Sequence, residues 1–333
     1  MWECHKYPLR VLSLSLVSAF VFPGCSSSDR GASGDSGGNA FVNRTSDGTD
    51  SAVSGIRHKG YCTLLKASDV RWPEASRMTL DITETKGNSV TKSGKSIAWT
   101  STVCVPKSRW NGKVIWYFHG LCGNGDFTSG DKTLGTLKIY EAFAGGKPIV
   151  VGLSLGDEWL LNDELDAAVW DVLKGVQKAK KLPREGNLLF GFSMGGFNAL
   201  RLYGNPDAAI FFEKCVVVAP CLPGSSPYAS REALRTYFQS TSGRKFFKKN
   251  VIHLARDFFP DAATWHNADP IGNPSRLAGK PLLILAGDQD IFGFNVTSKE
   301  LADELGTDFV LFSGKHHIPA DPTSVDAIVR FLE

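Results

Sequence analysis

Eight stretches of the chain carry the two hydrophobic patterns that are typical of β-strands. In "MTLDITET" and "SIAWTSTVCVP", apolar and polar residues alternate, which predicts antiparallel strands with one covered face. Six other stretches are short continuous apolar runs, the pattern of strands that are covered on both faces. They read "KVIWYF", "KPIVVGLSL", "NLLFGF", "KCVVVAP", "KPLLILAG" and "DFVLFSG".

Helical patterns separate these runs. In residues 162–182, apolar side chains recur at helical spacing, with Asn162 as the candidate N-cap and lysines in the last turn. Because strands and helices alternate, we expect an α/β fold with a mostly parallel sheet flanked by helices. About sixty residues, 222–279, interrupt the alternation and are rich in aromatic and basic side chains. They form a candidate lid insertion over the carboxyl ends of the strands.

The first 57 residues follow a different pattern. Lys6 and Arg10 precede an apolar run over residues 11–22, which is too short to span a bilayer and fits a secretory signal. Gly24 and Cys25 then resemble the lipobox of bacterial lipoproteins, which implies that residues 1–25 are a signal peptide and that Cys25 is lipidated. An ordinary signal peptide with an incidental cysteine is the alternative. Residues 26–57 are rich in Gly and Ser and predict a flexible linker.

Residues 58–333 then form one expected domain, held at a membrane on the exported side. The composition is that of an ordinary globular protein, with 42% hydrophobic and 21% charged residues. A formal net charge of +3 implies no broad basic face, and the chain has no zinc-finger spacing, so nucleic acid is not an expected partner.

Five cysteines remain in what we expect to be an oxidising compartment. We expect disulfides between Cys62 and Cys104 and between Cys215 and Cys221, which leaves Cys122 unpaired. Spacing alone does not fix this connectivity.

The stretch "NLLFGFSMGGFNALR" contains the strongest chemical signal in the chain. Ser193 lies in a G-x-S-x-G pattern between Gly191 and Gly195, directly after an apolar strand and directly before a helical run. A strand that turns at once into a helix forces its serine into a strained conformation, and only glycines fit beside it. The helix N-terminus favours negative charge at the hydroxyl. The pattern predicts a nucleophilic serine.

A nucleophilic serine needs a base and an acid that orients the base, in the chain order Ser, acid, His. Asp288 and Asp290 follow one buried strand, and His316 and His317 follow the next one. Since the carboxyl ends of parallel strands share one sheet edge, we expect one residue of each pair to lie near Ser193.

Over nearly all of residues 58–333 the sequence resembles the α/β-hydrolase superfamily, and "GFSMGGFNALR" resembles its esterase-D and feruloyl-esterase branch. The resemblance implies that Asp290, at the last position of G-x-x-D, is the acid. It also implies that His317, three residues after Gly314, is the base, with His316 as the alternative.

The same resemblance implies a site for the oxyanion. The segment "WYFHGLCGNGDF" matches the His-Gly oxyanion loop of the superfamily, so the donors are expected to be the backbone amides of Leu121 and Met194. His119 is then a support for the loop rather than a catalytic base.

Together, the serine, the acid, the histidine and the oxyanion loop predict a serine hydrolase. We expect it to cleave small carboxylic esters through an acyl-enzyme, without a cofactor or metal. A peptidase or an acyltransferase using the same triad is one alternative. A non-catalytic surface binding protein on the same fold is another. The pattern leaves the acyl chain of the substrate and the oligomeric state open.

Overall fold

The strands join in one sheet. The computed structural model of the chain describes residues 80–120, 134–155, 161–222, 270, 272–290 and 292–333. Within them the sheet has eight strands, in the order β1-β2-β4-β3-β5-β6-β7-β8. The strands are β1 (Leu80–Val90), β2 (Ser96–Pro106), β3 (Trp110–Phe118), β4 (Lys147–Leu155), β5 (Asn187–Phe192), β6 (Phe212–Val218), β7 (Leu282–Gly287) and β8 (Asp308–Phe312). All the predicted strands are confirmed.

The direction of the strands also follows the prediction. The two strands with alternating patterns, β1 and β2, are antiparallel to their neighbours. Strands β3 to β8 are parallel to one another. The carboxyl ends of β3, β5, β7 and β8 therefore lie at one edge of the sheet, and the loops after them meet there.

Helices cover both faces of the sheet. In chain order, the described α-helices are α1 (Leu134–Glu141), α2 (Asp163–Ala179), α3 (Met194–Tyr203), α4 (Ala208–Phe211), α5 (Phe294–Leu305) and α6 (Pro322–Leu332). Helices α2, α3 and α5 contribute to the core on one face, and α1 and α6 contribute to the core on the other. In β3, Trp116 points into the first core and Tyr117 into the second, as the period of a strand requires. Burial on both faces explains why the parallel strands read as continuous apolar runs.

Helix α2 begins where its sequence indicates. The side chain of Asn162 accepts hydrogen bonds from the backbone N–H groups of Glu164 and Leu165, which have no partner inside the helix. Its predicted apolar stripe is buried against the sheet. This prediction of the cap and the buried face is confirmed.

Several predictions fall outside the described residues. They concern the signal peptide (1–25) with Cys25, the linker (26–57), Leu121, Cys62, Cys122 and most of the lid insertion (222–279). The described residues all belong to one unit of contacts, Gly55–Glu333. Among the helices described, none combines the length and the apolar character that crossing a membrane requires.

The predicted disulfide between Cys215 and Cys221 is wrong. Cys215 is a free, buried thiol on β6, and burial raises the pKa of this thiol. The neighbouring strand β5 shows why: Cys215 is paired with Leu189, whereas the Cys221 N–H donates to the carbonyl of Ser193, further along the chain. Because these strands are extended, the two cysteines are separated by roughly 10 Å or more. A disulfide needs Cα atoms within about 7 Å.

Candidate active site

Ser193 occupies a strained turn between β5 and α3. Its φ of 53° and ψ of −117° lie in a region that residues other than glycine rarely adopt. The neighbouring strand holds this conformation: the Ser193 N–H donates to the carbonyl oxygen of Val218, and the Ser193 carbonyl accepts from the N–H of Cys221. Since α3 begins at Met194, the serine lies at the positive end of a helix.

The glycines on either side of Ser193 are required by space. A Cβ atom on Gly191 would lie 2.4 Å from the carbonyl oxygen of Gly195. A Cβ atom on Gly195 would lie 2.1 Å from the carbonyl oxygen of Phe118, at the end of β3. Both distances are far below contact distance, so the sharp turn and the close approach of α3 to the sheet depend on the glycines.

Ser193, His316 and Asp290 form a continuous chain of hydrogen bonds. His316 Nε2 lies 2.8 Å from Ser193 Oγ, and His316 Nδ1 lies 2.8 Å from Asp290 Oδ2. Because a carboxylate can only accept, the proton of the neutral imidazole is on Nδ1. Nε2 then has a free lone pair that faces the serine hydroxyl, which is the arrangement a general base needs.

The Asp290 carboxylate is fully buried and has partners for both oxygens. Oδ2 faces His316, and Oδ1 accepts the backbone N–H of Phe292 at 2.8 Å. A buried charge is tolerated only with such partners. Asp288, the other predicted candidate, is exposed and accepts the N–H of Gly314 at 2.9 Å, so it does not contact either histidine in the described structure.

The histidine that contacts both Ser193 and Asp290 is His316 and not His317, which the resemblance favoured as the base. His317 is exposed, and its ring packs against Phe312 at 5.4 Å between centroids. The loop turns tightly here, with the His317 N–H donating to the carbonyl of Lys315. The side chains of the two neighbouring histidines therefore leave the turn in different directions, and only one of them reaches Ser193. Although the residue as a whole is exposed, partial desolvation of its ring and the neighbouring His316 lower the pKa of His317.

The loop after β3 lies beside the serine. A Cβ atom on Gly120 would lie 3.3 Å from Ser193 Cβ. His119 is buried; its Nδ1 donates to the Gly120 carbonyl at 2.7 Å, and its Nε2 lies 3.1 Å from Ser154 Oγ on β4. Burial lowers the pKa of His119, which keeps the ring neutral. Both ring nitrogens thus hold the loop in place and neither faces Ser193 Oγ.

Three phenylalanines around His316 are site residues that the sequence analysis missed. The centroid of the His316 ring lies 5.2 Å from that of Phe192, 4.8 Å from that of Phe292 and 5.6 Å from that of Phe294. These rings restrict rotation of the imidazole and keep water from its faces. The sequence does contain a signal for them. Phe192 stands directly before Ser193, and Phe292 and Phe294 follow Asp290 by two and four residues, so rings in these places can lie close to the histidine between Ser193 and Asp290.

The site contains a hydroxyl, an imidazole and a carboxylate that are joined by hydrogen bonds. A hydroxyl, an imidazole and a carboxylate in line can transfer a proton away from oxygen. In the described part of the chain, no three His, Cys, Asp or Glu side chains are grouped as a metal site would need.

Comparison with known proteins identifies the fold. The sequence matches no protein-family model and no curated protein. Among solved structures, an esterase from Pyrococcus furiosus gives a TM-score of 0.55 at 13% identity, covering 79% of this chain and 94% of that chain. The esterase Est22 gives a TM-score of 0.52 at 12% identity, covering 77% of this chain and 80% of that chain. The chain therefore has the α/β-hydrolase fold.

Proposed function

We propose that the protein is a serine hydrolase that cleaves carboxylic esters, with Ser193 as nucleophile, His316 as base and Asp290 as the orienting acid. The observation that carries this proposal is the chain of two hydrogen bonds, each 2.8 Å long, from Ser193 Oγ through the His316 ring to Asp290. The strained backbone of Ser193 supports it, because strain at a helix N-terminus is typical of an exposed nucleophile on this fold.

In the first half of the reaction, Ser193 Oγ attacks the acyl carbon while His316 Nε2 takes the hydroxyl proton. Asp290 stabilises the imidazolium that forms. The oxyanion would accept the backbone N–H of Met194 at the start of α3 and that of Leu121, which lies outside the described residues. The position of Gly120 against Ser193 supports this second donor, since Leu121 is the next residue.

The intermediate then collapses: His316 donates its proton to the leaving alcohol oxygen, the ester C–O bond breaks, and the acyl-enzyme forms. In the second half, a water molecule attacks the acyl carbon while His316 Nε2 takes its proton. The bond between the acyl carbon and Ser193 Oγ then breaks, His316 returns the proton to Oγ, and the acid is released. No cofactor takes part in this proposal.

We also propose a class of substrate. The Pyrococcus furiosus protein and Est22, which have similar folds, are both esterases. Together with the resemblance to the esterase-D branch, this favours an ester over an amide. We propose a small ester whose acyl part is accommodated under residues 222–279.

A fluorophosphonate probe and an ester substrate test the function together. The unmutated protein should be labelled at Ser193 and should hydrolyse p-nitrophenyl acetate. Ser193→Ala should abolish labelling and lower kcat/KM by about 10⁴-fold or more, since the triad acts as a unit. Ser275→Ala, which removes an exposed hydroxyl, is the matched control. A Ser193→Ala protein that folds and keeps normal turnover would rule the mechanism out.

We also propose that the protein is exported and anchored to a membrane through a lipidated Cys25. The support is the sequence of residues 1–25, with its basic start, apolar run and Gly-Cys end. Lipid chains should make the mature protein partition with membranes, and Cys25→Ser should release it or block its maturation. A mature N-terminus without lipid in mass spectrometry would refute the anchor.

A further inference from the structure

We infer that Asp288 is a positioning residue, which holds the loop of His316 against the loop of Asp290. This rests on the proposed function. Asp288 lies on the turn after β7, and its Oδ1 accepts the backbone N–H of Gly314 at 2.9 Å. Gly314 stands two residues before His316, on a different strand end.

The hydrogen bonds between β7 and β8 explain why a side chain is needed here. The last residue pair in the register of the two strands is Gly287 with Phe312. Beyond it, the Asp288 N–H still donates to the carbonyl of Phe312, and the Gln289 N–H donates to the carbonyl of Gly314. In this series of hydrogen bonds, the Gly314 N–H does not donate to a backbone carbonyl. It donates to the Asp288 carboxylate instead.

Both backbone groups of Gly314 are thus held by the turn that also carries Asp290. The fit is close, because a Cβ atom on Gly287 would lie 2.4 Å from the carbonyl oxygens of Gly314 and Lys315. Three hydrogen bonds join Asp288 and Gln289 to the end of β8 and the loop that follows it, and two of them involve backbone groups alone. Asp288 Oδ1 is the side-chain atom among them, so it is the one that substitution can remove.

Two variants separate this role from others. Asp288→Ala removes the acceptor, and Asp288→Asn keeps an oxygen at the same place while removing the charge. We expect Asp288→Ala to lower kcat for p-nitrophenyl acetate by about 10- to 100-fold, because small displacements of a catalytic group have effects of this size. KM should stay within about twofold, since the role inferred for Asp288 is to hold the loop of His316 and not to bind the substrate. Asp288→Asn should retain most of the kcat of the unmutated protein. Asp171→Ala, an exposed carboxylate on α2, is the control.

A second readout does not depend on catalysis. The proton on His316 Nδ1, held against Asp290, should give a low-field NMR signal. We expect it to broaden or move in Asp288→Ala and to remain in Asp288→Asn. If the unmutated protein lacked ester turnover and probe labelling, the proposed function would fail, and the NMR comparison would still decide the role of Asp288.

Three results would overturn the inference. One is an Asp288→Ala protein that keeps kcat within about twofold of the unmutated protein together with its NMR signal. Another is an Asp288→Asn protein as slow as Asp288→Ala, because charge rather than the hydrogen bond would then matter. The third is a raised KM with unchanged kcat, which would indicate contact with the substrate.

Discussion

At the scale of single residues, the direction in which one imidazole points decides what Ser193 can do. His316 and His317 have the same chemistry and are adjacent in the chain, yet only His316 lies between Ser193 and Asp290. Because Asp290 accepts the proton on Nδ1, the ring presents its lone pair to the serine rather than a second donor.

This difference predicts unequal effects of two neighbouring substitutions. His316→Ala should lower kcat by about 10⁴-fold, as expected for the loss of a triad member. His317→Ala should change it little, because that ring is exposed and packs against Phe312. Steady-state hydrolysis of p-nitrophenyl acetate measures both. Equal losses, or the larger loss in His317→Ala, would mean that the loop rearranges when substrate binds.

The second prediction at this scale concerns pH and His119. Burial lowers the pKa of His119 in the folded protein, so the unfolded chain binds its proton first as the pH falls. The free energy of unfolding should therefore decrease as the pH drops below about 6.5, and this decrease should end below the pKa of the folded state.

His119→Asn tests this assignment, because an amide can still donate to the Gly120 carbonyl but does not titrate. Urea unfolding between about pH 5 and 8 should give a flatter stability profile for the variant than for the unmutated protein. His317, whose pKa is also lowered, titrates in both proteins and does not affect the difference. Parallel profiles would assign the pH dependence to other groups.

At the scale of elements, the start of α3 packs very closely against the end of β3. Helix α3 approaches β3 so closely that Gly195 leaves no room for a methyl group against Phe118 and His119. This packing brings the helix N-terminus under Ser193, and the same closeness makes the element sensitive to added volume.

We expect Gly195→Ala to lower the free energy of unfolding by about 1–3 kcal/mol or more, through overpacking. Gly175→Ala is a matched control in the interior of α2, where the added methyl group would meet nothing within 4 Å besides its chain neighbours and the backbone of its own helix. That change should instead stabilise the protein by about 1 kcal/mol, the difference in helix propensity. Chemical denaturation measures both, and a harmless Gly195→Ala would mean that α3 can move away from the sheet.

At the scale of the whole molecule, the parallel sheet gathers chemistry from distant parts of the chain. The loops after β3, β5, β7 and β8 carry Gly120, Ser193, Asp290 and His316, and all of them meet at one edge because these strands run the same way. The insertion at residues 222–279 follows β6 and lies mostly outside the described residues. Its composition supports a further prediction about substrates.

Aromatic side chains in the insertion suit a cover over an apolar pocket. Each additional methylene of the acyl chain should then improve binding by about 0.8 kcal/mol until the pocket is full. For nitrophenyl esters from acetyl to palmitoyl, kcat/KM should rise and then fall, with the maximum at short to medium chains as the esterase-D resemblance implies. A maximum at the longest chains would indicate a lipase. Cleavage of amides without esters would indicate a peptidase.

The sequence by itself determined the strands, helix α2 and the position of the turn that holds Ser193. Hydrophobic periodicity and capping are local properties, so all the strands, helix α2 and its Asn162 cap could be predicted from short windows. The position of Ser193 was equally clear, because a serine between glycines at a strand-to-helix junction has a local steric cause.

The tertiary structure decided which of two neighbouring histidines lies between Ser193 and Asp290. His316 rather than His317 faces Ser193 because hydrogen bonds between the ends of β7 and β8 set the direction of the loop, and these bonds join residues far apart in the chain. The cluster of Phe192, Phe292 and Phe294 around His316 arises in the same way. The predicted disulfide between Cys215 and Cys221 was wrong for a related reason. Residues that are near one another in the sequence lie far apart when an extended strand separates them.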